Sequence, residues 1–343
     1  MPKYVAKALH KFQKYLQKFH PNNKPEYSPH NHVDPNYRQK VQYAEPADDT
    51  PTLDYVDINL IQKIVGTFLY YGIAVDNTIL VALSTITSEK SAATSNMAKK
   101  ITQLLNYLAT NPDATIRYTR SDMVLWVHSD ASYLFCPKAQ SRAGGMHFLI
   151  SKPPSPHDPA NFEPTLNGIV YVVCKILRNI MASAAEAELG ALFLNCQETV
   201  TIRITLKEMG HSQLTTPVQV DNSTALGIAT GTIKQCKSKA MDMRFYWIRD
   251  RRNQKQFNIY WKPGSTNRGD HFTKHFPPAH HSTVRPSYLH VAKYGKRSTL
   301  QGCVNITLSA NNPVHPCAPA KSSAHAYTKK LYAHTRTTAY NYS

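Results

Sequence analysis

The chain has 343 residues, 42% of them hydrophobic and 18% charged, enough to bury a sizeable core and too apolar to stay wholly unfolded. Its 40 Lys and Arg against 22 Asp and Glu give a formal charge of +18, which selects a polyanionic partner, nucleic acid first and an anionic membrane surface second. The six cysteines lack CxxC pairing and the basic amphipathic start lacks a signal's apolar region, so reduced thiols in a cytoplasmic or nuclear compartment are expected, and secretion is not.

Residues 5–19 can form a helix. Pro21, Pro25, Pro29, Pro35, Pro46 and Pro51 then interrupt regular structure, and residues 1–55 read as a Pro-rich connector. The histidines there, His10, His20, His30 and His32, have no Cys or carboxylate at metal-ligand spacing. Residues 56–115 carry helical periodicity: Ile58, Ile61, Val65, Phe68 and Leu69, then Ile101, Leu104, Leu105 and Leu108 before Asn111-Pro112. The apolar run 64–86 has the length of a membrane span, but Asp76-Asn77 at its centre makes two helices around a turn the better reading. No membrane span is expected.

From residue 120 the pattern changes. Strands are predicted over 123–128, 146–150 and 169–174, an antiparallel meander, followed by a helix over 182–196 and a short strand 218–220. Helices over 224–229 and 241–250, a strand over 256–261 and a last short helix over 267–275 complete a mixed sheet with helices on its faces. Tyr246 and Trp247 are expected in the core. After Asp270 no Asp or Glu remains, while nine Lys and Arg and eight His follow, a basic tail suited to tethering nucleic acid.

Four acids fall at corresponding places in that order. Asp130 follows the first strand, Glu188 lies in the first helix of the sheet region, Asp221 follows the fourth strand and Asp270 starts the last helix. Met181, Ala185, Leu189 and Leu192 form an apolar stripe at about 100° per residue, and Glu188 lies nearer its centre than Glu186 does. Glu188 should therefore face the sheet. Singly, such acids are better explained as helix caps or turn formers, Asp221-Asn222-Ser223 above all. As a set they suit phosphodiester cleavage, in which two divalent ions about 3.5–4 Å apart activate water and relieve charge on the leaving oxygen. Magnesium prefers such open oxygen clusters.

The stretches SDASY at 129–133, SRAGGMHFL at 141–149, AEAELGAL at 185–192, VDNSTAL at 220–226 and NRGDHFTKHFPP at 267–278 resemble the ribonuclease H domain of copia-type LTR retrotransposon polyproteins. VGTFLYYGIAVDNTILVALSTI at 65–86 is similar to the segment joining polymerase to ribonuclease H in that family, and MPKYVAKALHKF to the end of the polymerase region. The likeness runs to about residue 290. It implies an α/β, ribonuclease H-like domain over 120–278, a mixed five-stranded sheet flanked by helices. A helical connection segment (56–115) precedes it, residues 1–55 end the polymerase region, and 279–343 form a basic, partly disordered tail. It further implies Asp130, Glu188, Asp221 and Asp270 as ligands of two Mg²⁺ ions, RNA–DNA hybrid as substrate and the missing polymerase portion as partner. A Tyr-x-Asp-Asp polymerase signature is absent from the chain. The alternative is an inactive fragment that keeps only nucleic-acid binding.

Substrate grip is expected from Lys234, Lys237, Lys239, Arg244, Arg251 and Arg252, which give affinity without sequence preference. His271 and His275, four apart beside Asp270, could share a helical face and assist proton transfer or product release. A zinc site there would need a third ligand, and none lies at motif spacing. His128, Ser129 and Asp130 contain triad residue types, but neighbours on a strand point to opposite faces.

Overall fold

Helical periodicity over 55–110 becomes three helices in the computed structural model, which describes residues 1, 3–19, 25–32, 48–89, 93–153, 158–233 and 242–290. Asp54 caps α2 (Tyr55–Ala74) by accepting from the Asp57 N–H at 2.7 Å, and Thr94 caps α4 (Ser95–Thr110). Between them the chain turns at Asp76, makes a 3-10 turn over Asn77–Ile79 and continues as α3 (Leu80–Glu89). Asp76 is fully buried, and Arg285 supplies its counter-charge at 3.1 Å from 209 residues away. Among the described residues no helix is long and apolar enough to cross a membrane.

The first helix, α1 (Tyr4–Phe19), is more than a connector. Val5, Ala8 and Phe12 are buried in one core with Ile61, Phe68 and Leu104, and the Phe12 and Phe68 rings lie 6.4 Å apart. Its apolar positions recur at helical spacing, so the helix buries that face against its neighbours instead of leaving it in water. Residues 33–47, which carry Pro35 and Pro46, lie outside the described part.

Five strands follow: β1 (Val124–Cys136), β2 (Gln140–Ile150), β3 (Ile169–Ile176), β4 (Thr216–Val220) and β5 (Phe257–Trp261). Their order is β3-β2-β1-β4-β5, with β1, β2 and β3 antiparallel and β4 and β5 running parallel to β1. Helices α5 (Ala184–Glu208), α6 (Ser223–Thr230) and α7 (Asp242–Asn253) supply the connections. This is the expected mixed five-stranded sheet flanked by helices.

The elements keep their predicted order but several run longer. β1 continues past Asp130 to an irregularity between Ser132 and Cys136, so Asp130 lies within the strand and not at its end. α5 extends to Glu208, and Ser183 and Glu186 close its start: Glu186 N–H donates to Ser183 Oγ, while the Glu186 carboxylate accepts from Ala182 N–H at 2.9 Å. Glu186 is thereby a capping residue.

One sheet face packs Ala143 and Val173 against Ala187 and Ala191 of α5. The other buries Trp126, Met146, Phe148 and Tyr260 with Phe272, Tyr288 and Leu289. Ordered structure therefore passes residue 278, the expected start of the tail. Helix α8 (Pro278–Val284) and a 3-10 turn over Arg285–Ser287 lead to Tyr288 and Leu289, whose apolar side chains complete the core. Tyr246, expected inside, is 66% exposed, because α7 turns Phe245 and Ile248 inward instead. Trp247 is half-buried on Phe193, ring centroids 5.3 Å apart.

Candidate functional site

The β1–β4 ladder places two of the acids. His128 pairs with Gln219, so two residues further along these parallel strands Asp130 comes level with Asp221. The carboxyl ends of central parallel strands, where the connections diverge, are where open α/β sheets build their sites. Glu188 arrives from α5 and accepts from the Ala131 N–H at 3.3 Å. One carboxylate oxygen each of Asp130, Glu188 and Asp221 lies within 4.8 Å of the other two.

Asp270 borders this triad without joining it so closely. It opens a 3-10 turn over Asp270–Phe272 and forms an ion pair with Lys274, four residues on. Side chains that sequence reasoning missed hold this turn in place. Asn267 Nδ2 donates to the Ser129 carbonyl at 2.8 Å, Arg268 N–H donates to His128 Nδ1 at 3.0 Å, and Thr273 Oγ1 donates to Asp130 Oδ2 at 2.7 Å. Gly144 stands opposite Asp130 in the β1–β2 register, and a Cβ there would lie 2.5 Å from the Thr273 methyl. The glycine lets the turn approach β2 this closely. Asn195, fully buried on α5, ties that helix to the sheet through Ser129 Oγ (3.1 Å) and the Gly144 carbonyl (2.9 Å). It sits seven residues, two helical turns, beyond Glu188, and that spacing was the available signal.

Electrostatics mark the cluster as unfinished. Burial, then the charges of Asp270 and Asp221, hold the Asp130 carboxyl well above the usual range. Burial, then Asp130 and Asp221, do the same to Glu188, and burial with Asp270 raises Asp221. Glu188 Oε2 is buried with no hydrogen-bond partner. Burial disfavours the charged form of Lys274, but Asp270, Asp130 and Asp221 more than offset it and raise its pKa. Like charges this close ionise together only when a cation compensates them.

The two auxiliary histidines are placed elsewhere. The 3-10 turn is too short to put His271 and His275 on one helical face. His271 is buried against the Tyr288 ring at 4.7 Å, with neither ring nitrogen hydrogen-bonded. His275 Nε2 meets Thr85 Oγ1 at 3.1 Å, and its ring stacks on His30 at 4.2 Å. They belong to a buried histidine group with His281, whose ring is 5.3 Å from that of His271.

Of the basic residues, Arg244, Arg251 and Arg252 lie on α7; Arg244 lies over Phe193 at 5.6 Å, Arg251 over Trp247 at 5.3 Å, and Arg252 is exposed. Lys234, Lys237 and Lys239 are outside the described residues. Among the described residues, Cys136, Cys174 and Cys196 form no disulfide.

No protein-family model matches the sequence, and no curated protein matches it. Among solved structures, the N-terminal RNase H domain of a Mycobacterium tuberculosis protein, determined as a fusion with maltose-binding protein, is similar at 11% identity and a TM-score of 0.30, covering 48% of this chain and 96% of that one. An RNase H1 isolated from compost by metagenomics is 12% identical with a TM-score of 0.31, covering 44% and 92%. RNase H1 from the halophilic archaeon Halobacterium salinarum is 15% identical with a TM-score of 0.25, covering 43% and 93%.

Proposed function

We propose that this chain is the ribonuclease H domain, with its upstream connection, of a copia-type LTR retrotransposon polyprotein, and that it cleaves the RNA strand of RNA–DNA hybrids. The observation that carries this reading is the convergence of Asp130, midway along β1, Glu188 of α5 and Asp221, just past the carboxyl end of β4, with Asp270 at their border. The donor set fits a hard divalent cation: each of the three residues offers a carboxylate oxygen, Glu188 Oε2 is buried without a hydrogen-bond partner, and among the described residues no His or Cys joins the cluster. Asp130, Glu188, Asp221 and Asp270 would hold Mg²⁺. Two such ions supply an activated water and charge relief on the leaving oxygen.

The chain's own groups prepare that chemistry. Thr273 fixes Asp130 by one oxygen and leaves the other for a cation, while Asn267 and His128 hold the turn that brings up Asp270. Lys274 provides a positive charge beside Asp270. Arg244, Arg251, Arg252, Lys234, Lys237 and Lys239 would grip phosphates, and 2′-hydroxyls across the shallow minor groove would distinguish hybrid from duplex DNA. The polymerase portion would be the partner that hands on the hybrid.

A second reading, a nucleic-acid-binding module without turnover, draws support from Lys274, whose charge already compensates the acids in part. Full-length protein, Mg²⁺ and a hybrid labelled on the RNA strand separate the two. Short RNA products that vanish with EDTA are expected, and tight binding without any products would leave only the second.

Proton linkage gives an independent check. Since the folded acids hold protons above the ordinary carboxylate range, each Mg²⁺ bound should displace protons, and affinity should weaken as pH falls through that window. Calorimetric titrations in two buffers of different ionisation enthalpy should give different apparent heats. Identical heats would mean that the ion binds elsewhere.

A further inference from the structure

Arg142 of β2 is 1% exposed, and its guanidinium spans two parts of the fold. Nη2 donates to Thr85 Oγ1 on α3 at 2.8 Å, and Nη1 donates to the Thr273 carbonyl at 3.3 Å. Thr273 follows the 3-10 turn that opens on Asp270, and its hydroxyl donates to Asp130 Oδ2 at 2.7 Å. A continuous run of buried contacts therefore leads from α3, in the connection segment, to a site acid.

Each link leaves little freedom. Thr85 is buried, and its hydroxyl donates to the Val81 carbonyl at 3.0 Å. With that proton committed, its two lone pairs serve Arg142 Nη2 and His275 Nε2, the latter at 3.1 Å. The oxygen is saturated, and losing it would leave two buried donors unmatched. A guanidinium is planar and rigid, so its two ends move together. Arg142 Nε has no acceptor, so the fork is oriented by the two contacts at its ends. The turn in turn lies hard against β2, where a Cβ on Gly144 would come within 2.7 Å of the Gly269 carbonyl oxygen. Asn267 and Arg268 tie the approach to the turn to β1. Its far end, Thr273, is tied to α3 through Arg142.

We propose that α3 supports the acid cluster: Thr85, acting through Arg142, positions the end of the turn and with it the Asp130 carboxylate. Both are positioning residues, since among the described residues neither bonds to a site acid. The connection segment thereby tunes the cation affinity of a site to which it supplies no ligand. The cation rests on the ribonuclease H reading above, whereas the coupling of α3 to the turn does not.

Two measurements on the full chain test this: amide hydrogen exchange at Phe272 and Thr273 in EDTA, and calorimetric titration with Mg²⁺. Both amides bond within the turn, to the Gly269 and Asp270 carbonyls, and so report its order. Thr85→Val should speed their exchange and weaken Mg²⁺ binding by about 2- to 30-fold, the usual reach of such coupling. Thr85→Ser, which keeps the hydroxyl, should restore both. Thr102→Val on α4 deletes another buried hydroxyl bonded to the carbonyl four residues back, and should change neither. Arg142→Met removes the fork without leaving a buried charge and should reproduce Thr85→Val. The double variant should be no worse than the more affected single variant. Wild-type exchange in Thr85→Val and Arg142→Met, an equal effect of Thr102→Val, or unchanged Mg²⁺ affinity beside a wild type that binds the ion would overturn the proposal. A wild type that binds no Mg²⁺ would sink the nuclease reading instead, and exchange alone would then decide whether α3 holds the turn.

Discussion

Asp130→Asn is expected to abolish hybrid cleavage, a loss of more than about 100-fold, since even the outer partners of metal ligands cost up to that much when removed. The same change should stabilise the metal-free protein by about 0.5–2 kcal/mol, the range typical when a strained functional site is relieved. The cause is shared. Asp130 is buried beside Asp221, Glu188 and Asp270, and burial first, then the charges of Asp270 and Asp221, push its carboxyl up. An amide keeps the shape and the Thr273 hydrogen bond while removing the repulsion. Hybrid binding should persist because the basic surface is untouched. Cleavage by the variant at the wild-type rate would remove Asp130 from the chemistry, and a fall in metal-free stability would mean the cluster is not under repulsion.

Acid should unfold this protein between about pH 6 and 4. His128 and His275 are held down to about 3 and His147 and His281 to about 4, chiefly by burial, and His30 and His271 are also well below the ordinary value. The unfolded chain takes up these protons near pH 6.5 and the folded chain does not, so stability falls as pH drops from 6.5 toward the folded values. Each such histidine removes about 1.4 kcal/mol per pH unit across its window, against a total stability of about 5–15 kcal/mol. The raised carboxyls of Asp130, Glu188 and Asp221 act in the opposite sense, but they are fewer than the six histidines. Far-UV circular dichroism from pH 8 to 4 reads the transition directly. His271→Phe, which loses no hydrogen bond, should move the midpoint to lower pH. A protein still folded at pH 4, or an unmoved midpoint, would show that these rings protonate in place.

Local pattern in this chain was legible where neighbours in sequence carry it. The two apolar periods, helical over 58–108 and alternating or β-branched over 124–176, and the interruption at Asp76-Asn77 determined which segments became helix and strand and where the chain turned. Glu188 could be preferred over Glu186 from the helical stripe, and Glu186 indeed caps the helix end. Element ends were less legible: nothing in Ser129–Cys136 announces that β1 continues, because that extension depends on β2 lying alongside it.

What the tertiary structure alone decided is how distant groups meet. Asn195 reaches Ser129 across 66 residues, Asn267 reaches the same residue across 138, Thr273 reaches Asp130 across 143 and Arg285 reaches Asp76 across 209. Such contacts leave no periodic trace, since each partner satisfies a single buried polar group once. The histidines beside Asp270 show the same limit: spacing put them near the acids, whereas packing against Tyr288, His30 and Thr85 turned them into the interior. Hydrophobic period is written along the chain because water acts on every residue, but pairing of buried polar groups is settled only when the chain has closed on itself.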